Sequence, residues 1–340
     1  INEGTNVYTV LKTKEGNLKD FCFCDIAQYG ALMVTKSFES PRVLLDYFYA
    51  ERDSLSRIKQ KANDLFKLLI NTSERTQRRV QNQREELKEC KDREKYRIYG
   101  DLITSNLYAL EKGMAYAEVQ DFYDENCPTV KIPLDKRLTP TQNAQKYYKE
   151  YRKLDTAEKK LTVLIAEGEQ EVKYLDSVFD SLTRAQTEGD IAELREELFQ
   201  EGYVKRSKFK GKPPKALPPI RYRSSDGYDI RVGRNNKQND RLTCKEAEKT
   251  DLWLHVKDIT GSHVIVTCDG EMPPDRTIEE AAIIAACNSK GRNSSRVDVD
   301  YTFIRNVKKP NGSKPGMVIF TNNYTITVKP DTELEEKLRV

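Results

Sequence analysis

"DLWLHVKDITGSHVIV", residues 251–266, reads as two short strands around a polar turn. Apolar and polar side chains alternate, the period of a half-buried sheet. In the first strand Leu252, Leu254 and Val256 fall on one side, and Trp253, His255 and Lys257 on the other. The first set is core. The second puts an aromatic, an imidazole and an ammonium in a row that can stack a base and hold a phosphate, so an exposed sheet face is expected there. After Gly261, His263 falls on the same side as Ile265. The competing reading makes His255 and His263 hydrogen-bonded structural residues.

The stretch holds both histidines of the 340 residues. Two histidines and seven cysteines at no ligand spacing, with no CxxC pair, argue against a zinc site, which needs three or four ligands. Reduced thiols are expected, and no metal or cofactor. Ser262 and His263 are adjacent on a strand, so they point to opposite faces and do not suit nucleophilic catalysis. No other acid–base constellation is visible, and no catalytic residue is assigned.

Working outward, residues 224–340 read as α+β. "GYDIRVG" is a strand, "SRVDVDYTFIRNV" a long one, and "GMVIFTNNYTITVKP" a hairpin turned at Asn322-Asn323. "TIEEAAIIAACNSK" is a helix with Thr277 as N-cap and Glu280 closing a capping box. One small-residue helix on a sheet is the expected architecture. "GRNNKQND" (233–240) is too polar for a strand. As a loop, its Arg234, Asn235, Asn236, Lys237, Asn239 and Asp240 could meet phosphates or base edges, or simply make turns. "RNVKKPNGSKPG" (305–316) is a basic loop carrying Arg305, Lys308, Lys309 and Lys314.

Upstream, residues 203–223 carry eight Lys or Arg, four Pro and no acid. That is an extended basic linker, with Lys205, Arg206, Lys208, Lys210 and Lys212 as candidate phosphate contacts. Residues 51–202 are helical. Leu55, Ile58, Ala62, Leu65, Leu69, Thr72, Thr76, Val80, Gln83, Leu87 and Cys90 recur at steps of three and four. So do Ala157, Leu161, Leu164, Val172, Leu175, Phe179 and Leu182. An antiparallel coiled-coil hairpin is expected, with an arm on the order of 70 Å. It is a spacer or a lever that reaches a large partner. Thr139, Pro140 and Gln142 form an N-terminal capping signature, and "GDIAELREELFQEGYV" is a further helix. Residues 1–50 hold three strands, a small β-rich remnant that should be poorly ordered or lean on the base of the coiled coil. The fold class is therefore α+β in three parts.

Hydrophobic residues are 37% and charged residues 33% of the chain, and the net charge is +4. Global charge does not argue for nucleic acid; local strips must. No apolar run approaches the ~18 residues that span a bilayer, so no membrane partner is expected. The chain starts at Ile1 without a leader pattern, which predicts a piece of a longer protein.

Three stretches carry a resemblance. They are "GRNNKQNDRLTCKEAEKTDLWLHVKDITGSHVIV", "EEAAIIAACNS" and "VDVDYTFIRNVKKPNGSKPGMVIF". They look like the NFACT-R domain. "GDLITSNLYAL" and "IPLDKRLTPTQNAQKYYKEYRK" are similar to the coiled-coil middle region of the same family, and residues 1–50 to the tail of NFACT-N. The chain thus resembles the bacterial RqcH or FbpA-like branch of the NFACT family, without most of the amino-terminal part. The resemblance implies a cytoplasmic, ribosome-associated quality-control factor. Its partners would be large ribosomal subunits holding peptidyl-tRNA, rRNA, and tRNA, alanyl-tRNA in bacteria. It would promote untemplated alanine tailing rather than act as an enzyme. Together with the residue reading it nominates Arg234, Asn235, Asn236, Lys237, Asn239, Asp240, Trp253, His255, Lys257, Ser262, His263, Arg305, Lys308, Lys309 and Lys314 for RNA contact. The alternative is an adhesin that binds fibronectin at the cell surface.

Overall fold

The computed structural model describes residues 7–13, 18–23, 33–205 and 216–340. The chain divides into two compact units, one of Ile1–Leu69 with Ser177–Val340 and one of Ile70–Asp176.

The first unit opens with an antiparallel sheet in the order β2-β1-β3, built of β1 (Tyr8–Thr13), β2 (Leu18–Cys22) and β3 (Met33–Phe38). The long helix α1 (Pro41–Cys90) begins ten residues earlier than the heptad pattern implied. Ser40 starts it by accepting from the Val43 amide (3.3 Å), and Pro41 takes the first helical position. Leu44 and Phe48 are buried with Val10 of β1 and partly cover Phe21 and Phe38. The start was hidden because these crowded apolar and aromatic residues serve a sheet, not a coiled-coil seam.

In the second unit, α1 runs antiparallel to α3 (Pro140–Arg184). Between them lie α2 (Arg93–Ser105) and a hairpin of β4 (Tyr116–Gln120) and β5 (Thr129–Pro133), which alternation in the sequence did not single out. Arg79–Glu171 (2.6 Å), Arg84–Glu169 (2.6 Å) and Arg93–Glu158 (2.7 Å) fix the direction of the pair. Val80, Leu161 and Ile165 are buried in the seam. Leu164, expected there, is 44% exposed. From Leu161 the repeat steps by four to Ile165, then by three to Gly168 and four to Val172. Gly168 is a hole, not a knob: a Cβ there would lie 2.4 Å from Val80 Cγ2. A pattern search for apolar side chains passes over it and slips to Leu164. The start of α3 is as expected: Thr139 Oγ1 accepts from the Gln142 amide (3.3 Å), and Gln142 Oε1 from the Thr139 amide (2.9 Å).

After α3, helix α4 (Glu188–Gln200) is closed by a capping box between Thr187 and Asp190. The carboxy-terminal part of the first unit is a six-stranded antiparallel sheet in the order β13-β10-β8-β9-β7-β6. Its strands are β6 (Ile220–Arg223), β7 (Asp229–Val232), β8 (Leu252–Val256), β9 (Val264–Val266), β10 (Val297–Phe303) and β13 (Tyr324–Val328). A short α5 (Asn236–Arg241), continued by a π turn over Leu242–Glu246, links β7 to β8. Helix α6 (Asp275–Cys287) packs its alanines and isoleucines on Leu252, Leu254, Val256 and Val299. The short strands β11 (Val307–Lys308) and β12 (Ile319–Phe320) pair with each other, and α7 (Thr332–Leu338) ends the chain.

Three expectations are corrected here. The stretch through 223 is not linker to its end, because Tyr222 is buried in β6. The arms around Asn322-Asn323 do not pair: β12 joins β11, while β13 joins β10. Thr277 is not an N-cap either. Pro274 holds the N-cap position and helix α6 starts three residues earlier than expected, leaving the Thr277 hydroxyl to bond Asp226 (2.7 Å) and Glu280 to accept from Ser225 (2.5 Å). Both side chains hold the β6–β7 turn against the helix.

Candidate nucleic-acid interface

The row Trp253–His255–Lys257 lies on the sheet face away from α6, but only Lys257 is exposed. Trp253 is 0% exposed. Leu242, Ile265 and Ile304 enclose it, with Val307, Val318 and Phe320 packed around them. Its ring lies 4.9 Å from Phe320, stacks on His255 at 5.8 Å and meets His263 edge-on at 5.3 Å. The exposed aromatic face expected at Trp253 is therefore absent, and the indole has no open side on which a base could stack. Period-two alternation told the two faces apart. It could not tell that the small β11–β12 pair, distant in sequence, lies over the second one.

His263 is buried too, with Nδ1 2.7 Å from the Thr243 hydroxyl and its amide donating to Asn239 Oδ1 (3.1 Å). Burial holds the pKa of His255 below the ordinary imidazole value, partly offset by backbone hydrogen bonds and Asp300. Burial and then the neighbouring His255 hold that of His263 well below it. An unfolded histidine titrates near 6.5. Below that pH the unfolded chain binds more protons than the folded one, so stability is complete above it and falls as pH drops toward the folded values. The melting temperature of the 340-residue chain is expected to decrease between pH 7.5 and 5.5. His263→Asn should flatten that dependence, and an unchanged slope in the variant would remove His263 as its cause.

"GRNNKQND" meets protein rather than solvent. Asn235 caps α5 by accepting from the Gln238 amide (2.9 Å) and donates to Glu193 (2.6 Å). Asn236 donates to Ser177 (2.8 Å) and Glu197 (3.1 Å). Arg234 reaches Asp190 (3.3 Å), and Gln238 reaches Glu193 (3.1 Å). Asn235, Asn236, Gln238 and Asn239 are all buried, so the amides expected to read bases or phosphates are engaged inside the fold. Their partners Asp190, Glu193 and Glu197 recur at three and four residues along α4. That acidic stripe was the signal missed: on a helix it marks one face, here the face turned to the asparagines. Ser262 is buried as well, donating to the Gly233 carbonyl (2.6 Å) and accepting from Arg184 (3.1 Å). Lys237 is half-buried.

In the 305–316 loop the basic residues divide. Lys309 pairs with Asp240, and Lys314 with Glu201 at 2.7 Å. Lys308 is exposed, and so is Arg305, whose guanidinium lies 4.5 Å from the Phe303 ring. Of the linker residues, Lys205 is exposed, while Arg206, Lys208, Lys210 and Lys212 lie outside the described residues. Among the described residues no cluster of His, Cys, Asp or Glu could hold a metal ion, and no helix is long and apolar enough to cross a membrane.

Residues 2–216 match the NFACT N-terminal and middle domains, and residues 219–322 match the NFACT protein RNA binding domain. The chain belongs to the NFACT family. It is 40% identical over 307 residues to the Rqc2 homolog RqcH of Bacillus subtilis (strain 168), covering 89% of this chain and 53% of that protein. It is 38% identical over 304 residues to the Rqc2 homolog RqcH of Streptococcus suis (strain 05ZYH33), covering 89% and 54%. The chain thus spans about half the length of the curated relatives it matches. A solved structure titled as the C-terminal of the fibronectin/fibrinogen-binding protein from Streptococcus suis (FBPS) is similar to it. The TM-score is 0.66 and the identity 34%, over 84% of this chain and 100% of that one.

Proposed function

We propose that this chain is the middle and carboxy-terminal portion of a ribosome-associated quality-control factor of the cytoplasm. The observation that carries the reading is the identity to RqcH proteins, 38–40% across 89% of the chain. The match of residues 219–322 to an RNA binding domain supports it. In this reading the protein engages large subunits that hold peptidyl-tRNA, contacts rRNA and recruits tRNA. The tRNA is alanyl-tRNA, and the outcome is untemplated alanine tailing of the stalled chain. The factor delivers charged tRNA and supplies no catalytic group of its own. The helix pair α1–α3 serves as the arm that reaches across the subunit.

Sedimentation with purified large subunits at low salt, run beside a tail-elongation assay, tests this. The 340-residue chain should co-sediment. It should not support tailing at the rate of a full-length relative, because it spans about half of one. Failure to co-sediment would overturn the docking claim, and full-rate tailing the expectation that this portion does not suffice for it.

A second reading is fibronectin binding, which the name of the similar Streptococcus suis structure favours. Saturable capture of this chain by immobilised fibronectin at physiological salt would support it; a signal abolished by moderate salt would point to charge alone.

A further inference from the structure

Where β8 ends and β10 begins lies a pocket of about 310 Å³ lined by Lys257, Asp258, Ile259, Ser294, Arg296, Val297 and Asp298. Ligand pockets run from about 300 to 1,000 Å³, so this one holds a single small group rather than a helix or a duplex. Lys257 and Asp298 face each other across the two strands, the Lys257 amide donating to the Asp298 carbonyl at 2.8 Å. A cross-strand Lys–Asp couple would ordinarily pair its charges, but here no ion pair forms. The Asp298 carboxylate accepts instead from the Thr327 hydroxyl on β13, at 2.6 Å. Arg296 is likewise exposed and without a carboxylate partner among the described residues. Lys309, Lys314 and Arg234, by contrast, are each paired with an acid. Asp258 sits at φ 58°, a left-handed conformation uncommon outside glycine, and such residues cluster where a turn presents a functional group. Ile259, 38% exposed, adds an apolar surface beside these charges.

Two cations and two carboxylates sum to zero, so attraction for a bare anion does not explain the site. A group bearing both a phosphate and amino donors does. We infer that the pocket takes one unstacked nucleotide of single-stranded RNA. Lys257 and Arg296 hold the phosphate, Asp258 and Asp298 accept from the exocyclic amino group of the base, and the base lies over Ile259. Uracil has no amino group and is the disfavoured base. This rests on the RNA-binding reading above and adds a place and a preference to it.

The test is fluorescence anisotropy of the 340-residue chain with labelled twelve-residue cytidine and uridine RNAs. Wild type is expected to bind the cytidine strand about tenfold more tightly, within the range of one good base contact. Asp258→Ala with Asp298→Ala should bring the ratio near one. Lys257→Gln with Arg296→Gln should weaken both strands several-fold. Equal wild-type affinity for the two strands overturns the pocket assignment, and that comparison needs no variant to fold. So does unchanged binding in Lys257→Gln/Arg296→Gln when Arg305→Glu with Lys308→Glu weakens it; the RNA-binding reading would then survive alone. No binding to either RNA at low salt overturns both.

Discussion

Replacing Trp253 with alanine should lower the stability of the carboxy-terminal sheet by about 3–5 kcal/mol, the cost of truncating a large aromatic in a close-packed core. The indole is enclosed by Leu242, Ile265 and Ile304, contacts Phe320 and stacks on His255. Those neighbours come from the π turn, β9, the turn that follows β10, and β12, so one truncation opens a void shared by elements far apart in sequence. Because the variant has lost the only tryptophan, unfolding is better followed by circular dichroism or hydrogen exchange than by intrinsic fluorescence. Retained stability with RNA affinity reduced by about 1–3 kcal/mol, the range for base stacking, would instead make Trp253 an open platform and contradict the packing.

Asp180→Ala should cost about 3 kcal/mol. Asp180 receives Arg184 at 2.9 Å and Arg292 at 3.0 Å, with side-chain exposures of 5%, 15% and 33% for the three residues. Removing one partner of a buried ion pair typically costs about 3–5 kcal/mol, because the other charge remains where water cannot reach it. The lower figure applies because Arg292 is one-third exposed and keeps bonds to Thr183 and the Ser289 carbonyl. These contacts tie the end of α3 to the loop after α6, so chemical denaturation should show a lower midpoint at unchanged slope. A midpoint equal to wild type would mean that the triad contributes nothing net.

Wherever one side of an element does the packing, its sequence shows it. Alternation in 251–266 separates Leu252, Leu254 and Val256 from the opposite face, and all three are core. Heptad spacing marks Ala62, Leu65, Leu69 and Val80, all buried. The reading slips where contacts come from elsewhere in the chain. Gly168 contributes to its seam by being absent as a side chain, which no hydropathy pattern registers. The asparagines of 235–239 look like loop residues because their polarity is matched only by the acidic stripe of α4, about forty residues upstream. Lys308 and Lys309 are neighbours in a basic run and both exposed, yet only Lys309 is paired with an acid, Asp240, among the described residues. Composition counts charges; it does not show which already have partners.

In the proposed function, RNA is held by exposed cations of the carboxy-terminal domain such as Arg305 and Lys308, which have no acidic partner among the described residues. The most direct measurement is RNA affinity of the 340-residue chain as a function of salt concentration. The logarithm of the binding constant should fall linearly with the logarithm of salt, losing about 0.7 in slope for each single-strand phosphate contact removed. Arg305→Glu with Lys308→Glu should therefore flatten the slope by about one to two units. Asn235→Ala, in a residue already bonded to protein, should leave the slope unchanged. A wild-type affinity that does not respond to salt, or a slope that the asparagine controls and the exposed cations do not, would contradict the account.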